Sequence, residues 1–149
     1  PVGPSSYELL YRSGAGLTPR PLRRIASGGE LSRVMLASKV VLGNADGVDT
    51  LVFDEVDAGV GGSTARALAG VLADLAATHQ VIVVTHLAQV AVMADKHYVV
   101  SKEPGDVPQT HLDEVTGETR TAEIARMLSG DQSEASLAHA KQMLEEARG

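Results

Sequence analysis

Two kinds of apolar pattern alternate along the chain. The first is helical spacing, which predicts a helix that opens at Ser27 and closes at Gly43-Asn44, and a second helix capped by Ser63. The apolar faces of these helices consist of Leu31, Val34, Met35, Val41 and Leu42 in the first, and of Leu68, Val71, Leu72 and Leu75 in the second. Both helices are therefore predicted to be amphipathic.

The second pattern is the short unbroken apolar run. Thr50–Phe53 and Val81–Val84 lack polar alternation, which is typical of fully buried parallel strands, and His97–Ser101 predicts a third strand. Because strands and helices alternate through the middle of the chain, we expect an α/β fold with a mostly parallel sheet flanked by helices.

The remaining segments give weaker patterns. The predicted elements are a short strand at Tyr7–Tyr11, a loop at Ser13–Pro21, a short helix at Leu87–Ala94, two edge strands around a Thr116-Gly117 turn, and helices at Thr121–Leu128 and Ser133–Ala147 separated by Ser129-Gly130.

Composition narrows the class of protein. The chain has 149 residues, no cysteine, a net charge of -6 and 44% hydrophobic residues. These values favour one domain with its own core and disfavour a disulfide scaffold, a disordered chain and a membrane-spanning protein. Residues 1–11 lack the features of a signal peptide, so a cytoplasmic protein is expected. The acidic balance disfavours coating of nucleic acid by charge alone, but DNA stays possible as the partner of a larger assembly.

The segment Ser27-Gly28-Gly29-Glu30 has two interpretations. It fits a capping box, in which the Ser27 hydroxyl accepts from the Glu30 amide and Glu30 bonds back to the Ser27 amide. Yet two glycines in a first helical turn cost about 1 kcal/mol each relative to alanine, which makes sense if a ligand approaches the backbone. A helix N-terminus with free amides and a serine hydroxyl is also a ready phosphate site.

Polar residues follow two of the predicted strands. Asp54-Glu55 ends the first, as in a Walker B arrangement, where one carboxylate holds Mg²⁺ and the next polarises the attacking water. His86 comes just after the second strand. Because ligands of open α/β sheets bind outside the carboxyl ends of strands, these residues together indicate a nucleotide site. Taken singly, each also fits a simple polar strand end.

One motif is missing. A P-loop needs Gly-Lys followed by Ser or Thr, and none of the four lysines, Lys39, Lys96, Lys102 and Lys141, follows a glycine. The chain therefore holds the Mg²⁺ and water half of a nucleotide site without a primary phosphate cradle.

Three segments in this order resemble an ABC-type ATPase head. They are Ile25–Arg33, Leu51–Gly59 and Val83–Val90. More closely, the chain resembles the C-terminal head segment of the RecN family, bacterial double-strand-break repair ATPases related to SMC proteins. The resemblance covers nearly the whole chain and includes the flanking Pro19–Arg24 and Thr121–Gly130.

The resemblance implies that residues 1–149 are the C-terminal half of a split head, with the P-loop in a separate N-terminal lobe. It implies a nucleoid-associated protein that uses ATP and Mg²⁺, dimerises through two heads when ATP is bound, and meets DNA through the full-length protein. The isolated chain is expected to be inactive. The implied roles are γ-phosphate contacts from the opposite head for Ser27, Gly28 and Gly29, with Glu30 in the same cofactor-binding segment. Asp54 would support Mg²⁺, Glu55 would be the catalytic base and His86 would sense the γ-phosphate.

One position departs from the family pattern. Gly61 stands where many ABC ATPases have the Asp of the D-loop, so that Asp's role across the dimer does not carry over. The alternatives are another SMC or ABC head, a Mg²⁺-dependent nucleic-acid enzyme of the Toprim kind, and a non-catalytic dimerisation module.

Overall fold

The structure, a computed structural model, describes residues 3, 7–12, 14–24, 27–104 and 109–148. In this part of the chain the helices are α1 (Gly28–Leu42), α2 (Gly62–Ala76), α3 (Ala88–Ala91), α4 (Gly117–Ser129) and α5 (Glu134–Glu146). The strands are β1 (Leu10–Tyr11), β2 (Arg20–Pro21), β3 (Thr50–Phe53), β4 (Gln80–Val83), β5 (His97–Glu103) and β6 (Gln109–Val115).

These elements form two compact units. The first unit runs up to Gly59 and includes Thr78–Val84, and the second comprises Val60–Ala77 and the chain from Thr85 onward. The first unit therefore holds α1 and strands β1 to β4, and the second holds α2 to α5 with β5 and β6.

The first unit is built on the parallel pair β3–β4, with Thr50 beside Gln80 and Phe53 beside Val83. The Phe53 carbonyl also accepts from the Val84 amide at 2.9 Å, which extends the pairing by one residue. Before this pair, α1 ends at Gly43, whose φ of 57° lies in the left-handed region that favours glycine. The predicted strand at Thr50–Phe53 is confirmed. The predicted start of the first helix at Ser27 and its predicted end at Gly43 are confirmed as well.

The parallel strands are less buried than the sequence predicts. Val52 and Ile82, which lie side by side in the register, are 65% and 47% exposed, whereas Phe53 is buried. Parallel sheets normally have both faces covered. The prediction of fully buried strands is therefore wrong for the outer row of side chains in this chain.

The N-terminal part of the first unit contains a small antiparallel pair, with Leu10 opposite Pro21 and Tyr11 opposite Arg20. The strand predicted at Tyr7–Tyr11 thus shortens to its last two residues, and the predicted loop ends in a strand. Exposed Arg23 pairs with Glu8 at 3.1 Å. Ser13, Ile25 and Ala26, which also carried predictions, lie outside the described residues.

The core of the second unit joins three helices. Ile124 and Ala125 of α4 pack with Ala140 and Leu144 of α5, and the cluster is completed by Ala88, Ala91 and Val92 in and after α3. Gly130, with φ 77°, ends α4, and the Ser133 hydroxyl caps α5 by accepting from the Ser136 amide. The predicted break at Ser129-Gly130 is confirmed.

Three predictions in the second unit are wrong. Thr116 and Gly117 do not form a turn between strands, because Thr116 caps α4 in a reciprocal pair of hydrogen bonds with Thr119. Strand β6 instead pairs along its whole length with β5. Helix α2 is capped by Gly61, so Ser63 lies inside the helix, and α3 is a single turn that ends at Ala91.

The α/β class is confirmed. Parallel pairing is confined to β3–β4 among the described strands, and the other two small sheets are antiparallel. None of the helices in the described ranges is both long and apolar enough to cross a membrane.

Candidate functional site

The N-terminus of α1 presents the segment Ser27 to Glu30. Ser27 has extended backbone angles, and its hydroxyl oxygen accepts from the Glu30 amide at 3.3 Å. This confirms the capping half of the capping-box interpretation. The Ser27 hydroxyl hydrogen can still donate, and both Ser27 and Gly28 are exposed, so this end of the helix is open to a ligand.

The two glycines of this segment lie against the loop that follows β3. A Cβ on Gly28 would overlap the Oε2 atom of the Glu55 carboxylate. A Cβ on Gly29 would lie 2.8 Å from the Glu55 carbonyl oxygen and 2.7 Å from the Cβ of Ala58. The glycines therefore let the loop of Glu55 approach the backbone of α1 closely. This contact brings the predicted phosphate-binding segment and the predicted catalytic base together.

Arg33 ties the same helix to the same loop. Its Nη1 atom donates to the carbonyl oxygens of Val56 at 3.1 Å and Ala58 at 2.9 Å. The loop closes on itself because the Ala58 amide donates to the Glu55 carbonyl at 3.0 Å, and Val56 is fully buried. The first turns of α1 therefore fix the loop at several atoms.

Glu55 is held in an uncommon backbone conformation. Its φ of 56° makes it the one non-glycine residue with a positive φ among the residues that the structure describes. Such conformations cost about 1–3 kcal/mol of stability. They persist where several surrounding contacts hold the backbone in place, often at functional sites. Here the surroundings are Gly28, Gly29 and Arg33, as described above.

Asp54 stands at the carboxyl end of β3, exposed, one residue before Glu55. Its carboxylate suits Mg²⁺, which commonly takes one or two protein carboxylates and completes its shell with water and substrate phosphates. Among the described residues no group of three or more candidate side chains could hold a metal ion by itself.

A groove of about 530 Å³ runs along α1 and β3 in the first unit. Its wall is mostly apolar, through residues such as Leu31, Met35 and Val52, and it reaches Gly28 and Asp54 at the predicted site. An apolar groove that borders residues of the predicted site is suited to a packing partner as well as to a ligand.

His86 belongs to the second unit. It is exposed, it follows Thr85, and the Thr85 hydroxyl accepts from the Leu87 amide at 3.0 Å. Helix α3 begins two residues after His86. The structure thus brings Gly28, Gly29 and Glu55 together in the first unit and places His86 at the start of a helical turn in the second.

Two residues that shape these segments were not predicted from the sequence. Arg33 holds the Glu55 loop, and Arg120 of α4 donates to carbonyls at the end of α3. One feature of the sequence could have pointed to Arg33. It is a basic side chain one helical turn after Gly29, in a helix whose neighbouring positions are largely apolar.

Comparison with known proteins gives close sequence relatives, although no protein-family model matches the chain. Over 97% of its length the chain is 52% identical to the DNA repair protein RecN of Treponema pallidum (strain Nichols). It is 52% identical over 95% of its length to RecN of Deinococcus radiodurans, and 48% identical over 98% to RecN of Mycobacterium tuberculosis (strain H37Rv).

These matches cover 26%, 25% and 25% of the relatives, so the chain spans about a quarter of the length of the curated proteins it matches. That quarter is their C-terminal part. The predicted resemblance to RecN is confirmed.

Solved structures agree at the level of the fold. A chain from work on ATP-driven dimerization and DNA-stimulated activation of SMC ATPases matches with a TM-score of 0.50 and 21% identity. The match covers 91% of this chain and 69% of that one. The two chains therefore share a fold over most of this chain's length.

Proposed function

We propose that this chain is the C-terminal lobe of a RecN-like ATPase head, and that the complete protein hydrolyses ATP between two engaged heads during repair of DNA double-strand breaks. One observation carries the proposal. The Gly28-Gly29 backbone packs directly on the loop of Glu55, in a chain that is about half identical to RecN over nearly its whole length. The fold of an SMC-type head supports the same conclusion.

The proposed chemistry divides between two ATP molecules. At the first, Asp54 supports Mg²⁺, which neutralises charge on the phosphates, and Glu55 accepts the proton of the attacking water. At the second, held by the opposite head, Ser27 and the glycine amides at the positive end of α1 stabilise the γ-phosphate. His86 senses the γ-phosphate of the first ATP.

Two partners follow from this proposal. The N-terminal lobe supplies the P-loop that the chain lacks, and it covers the apolar groove along α1 and β3. A second head, engaged through ATP, completes each site in trans. The full-length protein, which is nucleoid-associated in the cytoplasm, binds DNA.

Reassembly of the chain with the N-terminal lobe tests the proposal. The chain alone is expected to show no ATP turnover, and the mixture is expected to show Mg²⁺-dependent turnover. In the mixture Glu55→Gln is expected to bind ATP normally and to slow hydrolysis about 100-fold or more, because it removes a general base. Asp54→Asn is expected to weaken both binding and the Mg²⁺ requirement.

The control is Glu145→Gln, at an exposed position of α5 in the second unit, which is expected to keep full turnover. Strong ATPase activity of the chain by itself, or normal turnover by Glu55→Gln in the mixture, would contradict the assignment.

A further inference from the structure

Helix α3 is the element that follows His86, and it is too short to be stable by itself. It has only four residues, Ala88–Ala91, and an isolated single turn is strongly disfavoured because nucleation fixes several residues for one hydrogen bond. The last carbonyls of a helix also lack partners within the helix. Something outside α3 must hold this turn.

Arg120 of α4 holds its C-terminal end. The Nη2 atom donates to the carbonyl oxygens of Ala91 at 3.1 Å, Val92 at 3.3 Å and Ala94 at 2.6 Å. A guanidinium remains charged and has a fixed planar geometry, so it suits a cluster of carbonyl dipoles at a helix C-terminus. One side chain thus gathers three carbonyls at and just after the end of the short helix, and that of Ala91 also accepts from the Ala94 amide at 3.3 Å.

Apolar packing fixes the same helix against the same neighbour. Ala88 and Ala91 are almost completely buried, and they share a core cluster with Ile124 and Ala125 of α4. Helix α4 therefore contributes both the apolar support and the clamping arginine. Before the turn, the Thr85 hydroxyl accepts from the Leu87 amide. This hydrogen bond joins the two residues on either side of His86.

We propose that Arg120 is a positioning residue for His86, acting through α3. It fixes the C-terminal carbonyls of the turn, and the rigid turn sets where the His86 imidazole stands when ATP is bound. The inference rests on the proposed role of His86 as a sensor of the γ-phosphate. Arg120 itself touches neither the nucleotide nor the reacting atoms in this role.

A double-mutant cycle in the chain reassembled with the N-terminal lobe tests the inference. Arg120→Ala, His86→Ala and the double variant are compared by steady-state ATP turnover. We expect each single change to lower kcat by about tenfold or more with KM for ATP changed less than about threefold, as for groups that act after binding. Because both changes disable the same group, the double variant is expected to be no slower than His86→Ala.

Two further measurements separate positioning from general stability. Hydrogen exchange is expected to show faster exchange at residues 88–94 in Arg120→Ala, with the core of α5 unchanged. Arg126→Ala, which removes an exposed arginine that pairs with Glu123 on the same helix, is the matched control and is expected to keep both kcat and the protection of α3. Arg120→Lys, which keeps a donor and the charge, is expected to recover part of the activity, and it replaces Arg120→Ala in the cycle if the latter does not fold.

The outcomes distinguish this inference from the function on which it rests. Normal turnover by Arg120→Ala beside a slow His86→Ala overturns the positioning role and leaves the sensor role standing. Losses that multiply in the double variant assign Arg120 a merely structural role. Normal turnover by His86→Ala removes the sensor role, and the positioning role falls with it.

Discussion

His97, at the start of β5, lies where its charged form is disfavoured. Burial lowers the pKa of His97, the nearby positive charge of Arg120 lowers it further, and Glu123 opposes both. Its Nδ1 atom is buried and bonds to no other described side chain or backbone group. The folded chain therefore prefers a neutral imidazole at this position.

This shift predicts a pH-dependent stability. Since the folded pKa lies below the unfolded value of 6.5, the unfolded chain binds more protons in the window between the two values. The stability that His97 contributes is thus present above pH 6.5 and is lost as the pH falls through the folded pKa. Thermal unfolding from pH 7.5 to pH 5 is expected to show a falling midpoint in the wild type and a smaller fall in His97→Gln.

The exposed His139 of α5 provides the control for this measurement. His139→Gln is expected to keep the wild-type dependence on pH. An equal pH dependence in wild type and His97→Gln would show that the midpoint is governed by other groups.

Gly29 is the second residue whose environment predicts a measurable effect. An alanine Cβ there would meet the Glu55 carbonyl at 2.8 Å and the Ala58 Cβ at 2.7 Å, both on a loop fixed by Arg33. Overpacking of this kind costs about 1–3 kcal/mol. Chemical denaturation of Gly29→Ala is expected to show a loss of that size.

Gly70 is the matched comparison, because it lies inside α2 and a Cβ there would meet nothing within 4 Å. Gly70→Ala is expected to stabilise the chain by about 0.5–1 kcal/mol, the ordinary advantage of alanine over glycine in a helix. If both substitutions stabilised the chain, Gly29 would be an ordinary helical glycine without a tight contact.

At the scale of elements, the connection between α4 and α5 depends on one carboxylate. One oxygen of Asp131 accepts from the hydroxyls of Ser129, Ser133 and Ser136 and from the Ser133 amide. Hydrogen bonds from Ser136, Ser133 and Ser129 lower the pKa of Asp131 to about 2. Because the folded pKa is lowered, this contribution to stability is present above about pH 4 and is lost as the pH falls toward 2.

Asp131→Ala is therefore expected to lower the unfolding midpoint at pH 7 and to speed hydrogen exchange in the first turn of α5. The difference from wild type is expected to shrink as the pH falls from 4 to 2, because the wild-type carboxylate becomes protonated. Asp113→Ala, at an exposed position of β6, serves as the control. A difference that does not change with pH would mean that Asp131 acts by something other than its charge.

The ends of helices were predictable from the sequence where a residue type is typical of only one kind of helix end. Gly43 and Gly130 end α1 and α4 with positive φ, and Ser27 and Ser133 cap the starts of α1 and α5, as their positions in the sequence indicate. Thr116-Gly117 was misread because the same pair of residues is typical of both a turn and a helix start. The reciprocal partner is Thr119 instead of the usual Glu or Gln, so the capping box was not visible.

The contacts around the candidate site could not be predicted from the sequence. The roles that the order of Ser27, Asp54 and Glu55 along the chain suggests stay predictions. The packing of Gly28 on Glu55, and the hydrogen bonds of Arg33 and Arg120, join residues more than 20 positions apart. Contacts at that separation depend on tertiary packing, which neither periodicity nor local propensity encodes.

At the scale of the whole molecule, the chain carries apolar surface that a partner is expected to cover. Val52 and Ile82 lie side by side on β3 and β4 and are largely exposed, although parallel sheets are normally covered on both faces. If the N-terminal lobe is that cover, Val52→Lys with Ile82→Glu is expected to leave the isolated chain folded, to reduce its binding of a hydrophobic dye, and to weaken reassembly with the lobe. Titration calorimetry with the lobe measures the last effect.

Val41→Lys supplies the comparison, because Val41 is 85% exposed near the end of α1 and does not line the groove. Its affinity for the lobe is expected to match that of the wild type. Unchanged affinity in the double variant would place the lobe's contact surface elsewhere.

The left-handed backbone of Glu55 lowers the stability of the chain, whereas the function proposed for the site requires the Glu55 carboxylate. A side chain with a Cβ costs about 1–2 kcal/mol in that conformation, and glycine at the same position would release much of this energy. The change that most relaxes the loop is thus also the change that deletes the carboxylate. If Glu55 is the base proposed above, a laboratory selection for heat resistance alone would favour variants that have lost it. Such a selection therefore requires ATP turnover of the reassembled head to be measured in every round.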